Sequence, residues 1–311
     1  MTGPTEARPR VVCIGAATFD SIFRMARLPT GHGKVLPLDA IEVAHGMAAS
    51  AAAAIAKLGG ASTLFSRVGN DGVGARIIAD LREAGVDCSH IRRVDGVRSP
   101  ICTVLIDADG ERLVIPFYDP RLGKDPAWLP LDLVTEADAA LADVRWPEGA
   151  AAVLDAARAA GIPAILDADV GPAEIIEDLA ARATHVVFSE PAATLLSGET
   201  DPRAALEALA PRLSGFLAVT AGPDGCFWLE RATGAIRHLA PPEVIAVDTL
   251  AAGDVFHGAF ALAIAEKATI PDAIAFANVA AALKCRTFGG RMGTPERAEV
   301  EAVLATMETR S

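Results

Sequence analysis

The sequence predicts an α/β fold: a largely parallel sheet covered by helices on both faces. Three observations carry that expectation. Short β-like runs that end in polar or glycine positions alternate with helical apolar patterns along most of the chain. The 311 residues, 51% of them hydrophobic, are enough to bury a large core. Many of those hydrophobic residues are alanine, which suits a helix-rich globular chain and not a disordered one.

In chain order, the first core strand is expected over 11–15, an apolar run closed by Gly15. An alanine-rich helix follows over 47–58, then a strand over 62–68 and a helix over 74–84. Two segments, 19–43 and 99–116, interrupt the alternation. The second reads as a hairpin, because Asp109-Gly110 in Asp107-Ala108-Asp109-Gly110 sits between β-rich stretches. Beyond it come strands over 139–142, 164–167, 185–189 and 217–220, interleaved with helices over 149–160 and 202–213. A further strand over 226–230 precedes the last two helices, 252–266 and 272–286. No internal repeat or low-complexity linker divides the chain. Ligands of such sheets gather at the carboxyl ends of the strands, where most of the chemically suggestive residues fall.

Charge and composition exclude several functions. A net charge of −12 opposes general attraction to nucleic acid, whose phosphates are met first by clustered Lys and Arg. The longest apolar runs break before they could span a bilayer, and the polar segment 1–10 lacks a signal-peptide core. Five widely spaced cysteines, Cys13, Cys88, Cys102, Cys226 and Cys285, suit reduced, packed thiols better than disulfides or a zinc site. A cytoplasmic protein is expected, with neither nucleic acid nor membrane as partner.

The most informative stretch is Val247-Asp248-Thr249-Leu250-Ala251-Ala252-Gly253-Asp254-Val255-Phe256, which leads into a helical pattern. Amides at a helix N-terminus lack intrahelical partners and carry the positive end of the dipole, so they suit a phosphate. Small side chains let that anion approach, and Asp254 lies where a carboxylate could take a proton from an attacking hydroxyl. On spacing alone, an ordinary loop with Asp254 as a capping residue fits as well.

This stretch resembles the C-terminal signature Asp-Thr-x-Gly-Ala-Gly-Asp-x-Phe of the ribokinase-like, or PfkB, carbohydrate kinases. Ser66-Arg67-Val68-Gly69-Asn70-Asp71-Gly72-Val73-Gly74 looks like that family's N-terminal signature, and Thr220-Ala221-Gly222-Pro223-Asp224-Gly225 its nucleotide loop. The three occur in the family's order over nearly the whole chain. The resemblance implies one ribokinase-like domain over 1–311, with segments 19–43 and 99–116 forming a small β-sheet lid. It implies ATP and Mg2+ as cofactors, with a monovalent cation, and a homodimer formed through the lid. Asp254 then resembles the catalytic base, with Ala252 and Gly253 as anion hole and Ala251 in place of the signature's first glycine. Asp20, His45, Gly46 and Ser50 match sugar-side positions, His45 replacing a glycine and Ser50 an asparagine. Thr220, Gly222, Gly225 and Asn278 match the nucleotide side; His257 is either a satisfied helix residue or a ligand contact. The family's Asn-x-x-Glu element reads Ser189-Glu190-Pro191-Ala192, which leaves Glu190 as the displaced candidate for ordering the metal.

Finer similarity, in Leu28-Pro29-Thr30-Gly31-His32-Gly33-Lys34, Asp143-Val144-Arg145-Trp146 and Gly289-Gly290-Arg291 among others, is to the sulfofructose kinase branch. It implies phosphoryl transfer to the 1-hydroxyl of 6-deoxy-6-sulfofructose, with Lys34 and Arg145 on the sulfonate. Arg plus Lys supply charge-assisted donors to an anion that never protonates at working pH. Pro116 departs from that branch, which has Asn there. Fructose, 2-keto-3-deoxygluconate or a sugar phosphate stays open as acceptor, as does a non-catalytic sugar or nucleotide sensor.

Overall fold

A computed structural model describes residues 8–108 and 110–308. Its first half contains strands β1 (Arg10–Ile14), β2 (Thr18–Arg24) and β3 (Asp39–His45), helix α1 (Met47–Lys57), β4 (Ala61–Gly69) and α2 (Gly72–Glu83). Then come β5 (Ile91–Val94), β6 (Ile101–Ile106), β7 (Arg112–Phe117), α3 (Leu131–Thr135), β8 (Ala139–Asp143) and α4 (Pro147–Ala159). The second half holds β9 (Ala164–Ala168), α5 (Ala173–Arg182), β10 (His185–Ser189), α6 (Glu190–Ser197), α7 (Pro202–Leu209) and β11 (Phe216–Thr220). It closes with β12 (Cys226–Glu230), β13 (Ala235–Leu239), α8 (Ala252–Ala265), α9 (Ile270–Lys284) and α10 (Arg297–Glu308).

The large sheet runs β13-β12-β11-β10-β9-β8-β1-β4-β5 and is parallel from β5 to β11, with an antiparallel edge formed by β12 and β13. Its inner strands are buried on both faces, so they read as continuous apolar runs without alternation. One apolar core packs α1, α2, α8 and α9 on one face; another packs α4 to α7 on the other. The chain leaves β1 toward β4 on one side and later returns to β8 on the other, a topological switch point, beside whose carboxyl ends ligands of such sheets bind. Helix α8 packs on β8, β1 and β9, buried throughout from Val255 to Ala265, and against α1 closely enough that a methyl on Gly258 would meet the Ala51 carbonyl oxygen at 2.5 Å.

A four-stranded sheet, β3-β2-β6-β7, stands apart from it. Segment 19–43 therefore contributes two strands where the sequence showed only an interruption, and 99–116 forms the expected hairpin. The hairpin's turn residue Asp109 lies outside the described residues; beside it Gly110 has φ +82° and donates to the Asp107 carbonyl. Ile22, Val43, Cys102, Val104 and Ile106 on this sheet pack onto Leu250 and Phe288, which seats it over the loops flanking α8 and α9.

Some element ends differ from expectation. Helix α7 stops at Leu209, short of 213, because Pro211 has no N–H with which to continue the hydrogen-bond ladder past Ala210. Helix α2 starts at Gly72, two residues early, because Asp71 caps it by accepting from the Gly74 amide. Helices α3, α5, α6 and α10 and strands β5 and β13 were not anticipated.

Candidate active site

Helix α8 begins after a left-handed residue, Ala251, at φ 64°, ψ 8°. Only glycine adopts this region freely, so an alanine there stores roughly 1–2 kcal/mol. The turn is held from outside. The Asp248 carboxylate accepts from the amides of Leu250 at 2.7 Å, Gly289 at 2.9 Å and Gly290 at 2.8 Å. The amides of Val247 and Asp248 donate to the Cys285 carbonyl at the end of α9. Ala252 donates to the Thr249 carbonyl at 3.2 Å, whereas the amides of Thr249, Ala251, Gly253 and Asp254 have no partner among the described residues. Of the expected Ala252 and Gly253, Gly253 has a free amide and Ala252 does not; Gly253 and Asp254 are the adjacent free pair within α8. Gly253 is exposed, and a methyl built on it meets nothing within 4 Å. Ala251→Gly is expected to raise unfolding free energy by about 0.5–1 kcal/mol, strain relief exceeding glycine's extra unfolded-state entropy. Urea unfolding checks this, and a loss of stability would contradict the strain argument.

The Asp254 side chain is half-buried beside this opening. Burial holds its pKa well above the ordinary carboxylate range, and the charge of Asp167 adds to the effect, opposed by His257. Asp167, at the end of β9, is buried and is itself pushed well up by burial and by Asp169. His257 lies one turn along α8, its Nδ1 2.7 Å from the Gly253 carbonyl and 3.4 Å from Asp167, its Nε2 3.2 Å from the Val187 carbonyl on β10. Burial lowers its pKa, opposed by the two carbonyls and by the charge of Asp254, and the ring ties the start of α8 to the sheet.

Asp143, at the end of β8, braces the carboxyl end of the sheet. Its carboxylate accepts from the amides of Ala16 at 2.8 Å, Ala48 at 3.0 Å and Arg145 at 2.8 Å. A methyl on Gly15 would stand 2.1 Å from that carboxyl, so glycine is required where it crosses β1. Arg145 ion-pairs with Asp169 at 2.8 Å and donates to the Val170 carbonyl. Ser189 donates to the other Asp169 oxygen at 3.0 Å. Ala192, where the resemblance implies Glu, is fully buried, whereas Glu190 is exposed at the first position of α6. No three His, Cys, Asp or Glu side chains among the described residues converge as a metal cage. Asp167 and Asp169, whose charges reach Asp254, are hard oxygen donors of the kind magnesium takes.

On the side of the small sheet, Asp20 is buried, accepts from the Thr18 hydroxyl at 2.5 Å and lies 3.4 Å from His45 Nδ1. Burial pushes Asp20 up to about 6 and pulls His45 down to about 3, where the charges of Arg291 and Lys284 add to the effect. The imidazole is therefore neutral, and its buried Nε2 has no partner. Gly46 caps α1 at φ 103°, where a methyl would strike the Ala16 carbonyl oxygen at 2.6 Å. Ser50 is fully buried with its hydroxyl unpaired. Strand register puts Val43, Asp20, Cys102 and Pro116 in one cross-strand row, so Pro116 shares Asp20's face. Lys34 is exposed in the loop between β2 and β3. Tyr118, the chain's only tyrosine, follows β7; the residue is 42% exposed, while its phenol is pushed up by its surroundings and by the charge of Asp143. Sequence reasoning missed it, since a lone tyrosine beyond an edge strand carries no pattern.

Asp20→Asn gives a pH-dependent signature. The folded pKa, about 6, exceeds the ordinary value near ~3.9, so the native state binds the extra proton. Its stabilising contribution is fully present below pH ~4 and is lost as pH rises through about 6. At pH ~7.5 the amide should therefore raise apo-protein stability by about 1–3 kcal/mol, and the gain should vanish near pH ~4. A gain in urea unfolding that is equal at both pH values would contradict it.

On the opposite side, Thr220 ends β11 and its hydroxyl donates to the Phe188 carbonyl. Gly222 and Gly225 have φ of 52° and 87°; a methyl on Gly225 would meet the Leu239 carbonyl oxygen at 2.2 Å, whereas Gly222 faces open space. Asn278 is buried, not on the helix surface, and its amide donates to the same Leu239 carbonyl at 2.8 Å. It thereby fixes the end of β13, from which a segment bearing exposed Ile245 and Val247 runs to Asp248.

Residues 8–297 match the family described as pfkB family carbohydrate kinase. The ribokinase of Bacillus subtilis is 30% identical over 302 residues, covering 95% of this chain and all of the relative. An ATP-dependent ribose-1-phosphate kinase from Halopiger xanaduensis is 29% identical, covering 97% of this chain and 99% of its own. A solved structure from Agrobacterium tumefaciens superposes with a TM-score of 0.95 at 48% identity, over 98% of this chain and 100% of that one. The Arabidopsis thaliana ribokinase complexed with ribose and ATP gives a TM-score of 0.83 at 26% identity, over 96% and 99%.

Proposed function

Because the chain belongs to the pfkB family of carbohydrate kinases, we propose that this site transfers the γ-phosphoryl group of ATP to a hydroxyl of an anionic ketose, 6-deoxy-6-sulfofructose at its 1-hydroxyl. That the chain is an ATP-dependent sugar kinase follows from the family; the acceptor and the residue roles are our reading. One observation carries it: a half-buried carboxyl with a raised pKa, Asp254, adjoins two unpartnered amides on the open side of a helix N-terminus. Asp254 takes the proton of the acceptor hydroxyl, and the Gly253 and Asp254 amides receive the charge of the transferring group. Asp20 orients sugar hydroxyls. Thr220, Gly222 and Asn278 shape the nucleotide side, with Ile245 and Val247 offering an apolar wall. Magnesium arriving with ATP neutralises β- and γ-phosphate charge, and Asp167 and Asp169, not Glu190, would hold it.

Arg145 supports the anionic tail, since it follows the Asp143 end of β8 and its partly exposed guanidinium is a donor of the kind a sulfonate takes. Lys34 is exposed on the loop between β2 and β3. Two observations favour a second reading, a neutral sugar: Arg145 is already paired with Asp169, and Pro116 offers no polar contact beside Asp20. ADP release measured over sulfofructose, fructose, ribose and 2-keto-3-deoxygluconate separates the two. The first reading expects sulfofructose to be preferred and Arg145→Ala to raise its KM at least about tenfold, Lys34→Ala less, with neutral sugars unaffected. Preference for a neutral sugar would remove the anionic tail from the account, and no ADP from any sugar would favour a non-catalytic sensor.

The outer strand β7 exposes Leu113, Val114 and Ile115, an apolar edge suited to pairing with a second copy, so we propose a homodimer through the lid. A monomeric mass by light scattering would exclude it. Five buried, unpaired thiols favour a reducing compartment, the cytoplasm.

A further inference from the structure

Among the described residues the reaction outlined above leaves two buried cations unused, Lys284 and Arg291, of which Lys284 is the deeper. Lys284, the last residue of α9, is 0% exposed, and its ammonium donates to the Asp248 main-chain carbonyl at 2.6 Å and lies 3.5 Å from the Asp248 carboxylate. A fully buried lysine is costly unless its charge is matched, and here one residue supplies both partners. That residue is no bystander. Asp248 gathers the Leu250, Gly289 and Gly290 amides, and three residues later the chain enters the left-handed Ala251 that aims the open amides of α8. The same loop continues into Arg291, which donates to the Ala44 carbonyl on β3 and pairs with Asp80. Asp80 in turn accepts from the Ala44 amide at 2.6 Å. The cation at Asp248 is therefore where the phosphate-side turn, the end of α9 and the small sheet are fastened together.

We propose that Lys284 is a positioning residue that acts as a built-in counter-ion: it fixes the 248–253 turn in its anion-receiving form, so that catalysis needs no soluble monovalent cation. The proposal rests on the reading of that turn as the phosphoryl site. Without the ammonium, the Asp248 carboxylate and carbonyl face each other as unneutralised oxygen acceptors. Relaxation would then let the strained Ala251 leave its left-handed conformation and close the site. Burial lowers the pKa of Lys284 and the charge of Asp248 raises it again, so the pair depends on both members.

The test uses the full-length enzyme with Lys284→Ala and Lys284→Met, in tetramethylammonium buffer with and without potassium, ammonium or methylammonium. Wild-type turnover should change less than about twofold across these salts. Both variants should lose about 100-fold or more in kcat at modest change in sugar KM, and the alanine variant should regain at least about tenfold with a small cation that enters the vacated space. The methionine variant, its space filled, should not be rescued. Binding of a non-hydrolysable ATP analogue, read by calorimetry in the same salts, should follow the same order without any sugar present. A wild type that needs potassium overturns the proposal. So does a folded alanine variant that keeps wild-type kcat and analogue affinity, or a loss that no cation restores. If neither variant folds, the wild-type salt series decides. If the wild type phosphorylates no sugar, the kinase reading falls by itself and the calorimetric series still decides the role of Lys284.

Discussion

Asp254→Asn is expected to lower kcat by about 10²–10⁴-fold while ATP and sugar still bind, because general-base catalysis contributes on that scale and the amide cannot accept the proton. The exchange is nearly isosteric, and Asp254 holds no buried amide in place, so folding should survive. The sign of the pH effect is fixed by the raised pKa. Asp254 works only when deprotonated, so kcat/KM should fall as pH drops through a value above the ordinary carboxylate range. The cause is burial first and the charge of Asp167 second. Turnover by Asp254→Asn close to wild type, or an acid limb within the ordinary carboxylate range, would show that the base is another group.

The largest effect on stability is expected at Asp143. Alanine there would orphan the amides of Ala16, Ala48 and Arg145 and leave a void over Gly15. With each buried, unpaired donor costing about 1–3 kcal/mol, and partial relief as water enters, Asp143→Ala should lose about 3–5 kcal/mol. Asp143→Asn keeps one acceptor oxygen and avoids the buried charge, so its loss should be smaller. Urea unfolding measures both, and a loss below about 1 kcal/mol for the alanine variant would mean that the three amides find other partners.

The part of this architecture legible from the chain was the part governed by local chemistry. Buried parallel strands announce themselves as short apolar runs, and the turn before α8 shows in its small residues and Asp254. The interactions that set the site's geometry were not legible, because they join residues far apart in sequence. Nothing around Asp143 signals that it braces two other segments, and Lys284 reads as an ordinary helix-end lysine until α9 is placed beside Asp248. Asn278 was picked on its position, yet its geometry comes from Leu239 on a different element. The two strands within 19–43 were hidden because the β2 pattern, Thr-Phe-Asp-Ser-Ile-Phe-Arg, places a buried carboxylate where a strand face is usually apolar. On the proposed reading that exception has a use: the buried Asp20 carboxyl is the acceptor offered to the sugar.

The central claim is that the first amides of α8 receive the phosphoryl group. Amide proton and nitrogen chemical shifts of Gly253 and Asp254 test it most directly, recorded with Mg2+, ADP and aluminium fluoride in the presence of the preferred sugar. The account expects both amide protons to move strongly downfield on formation of that complex, as donors to a fluoride bearing the transferring group's charge, while ADP alone moves them little. Shifts at both positions unchanged in the assembled complex would contradict it.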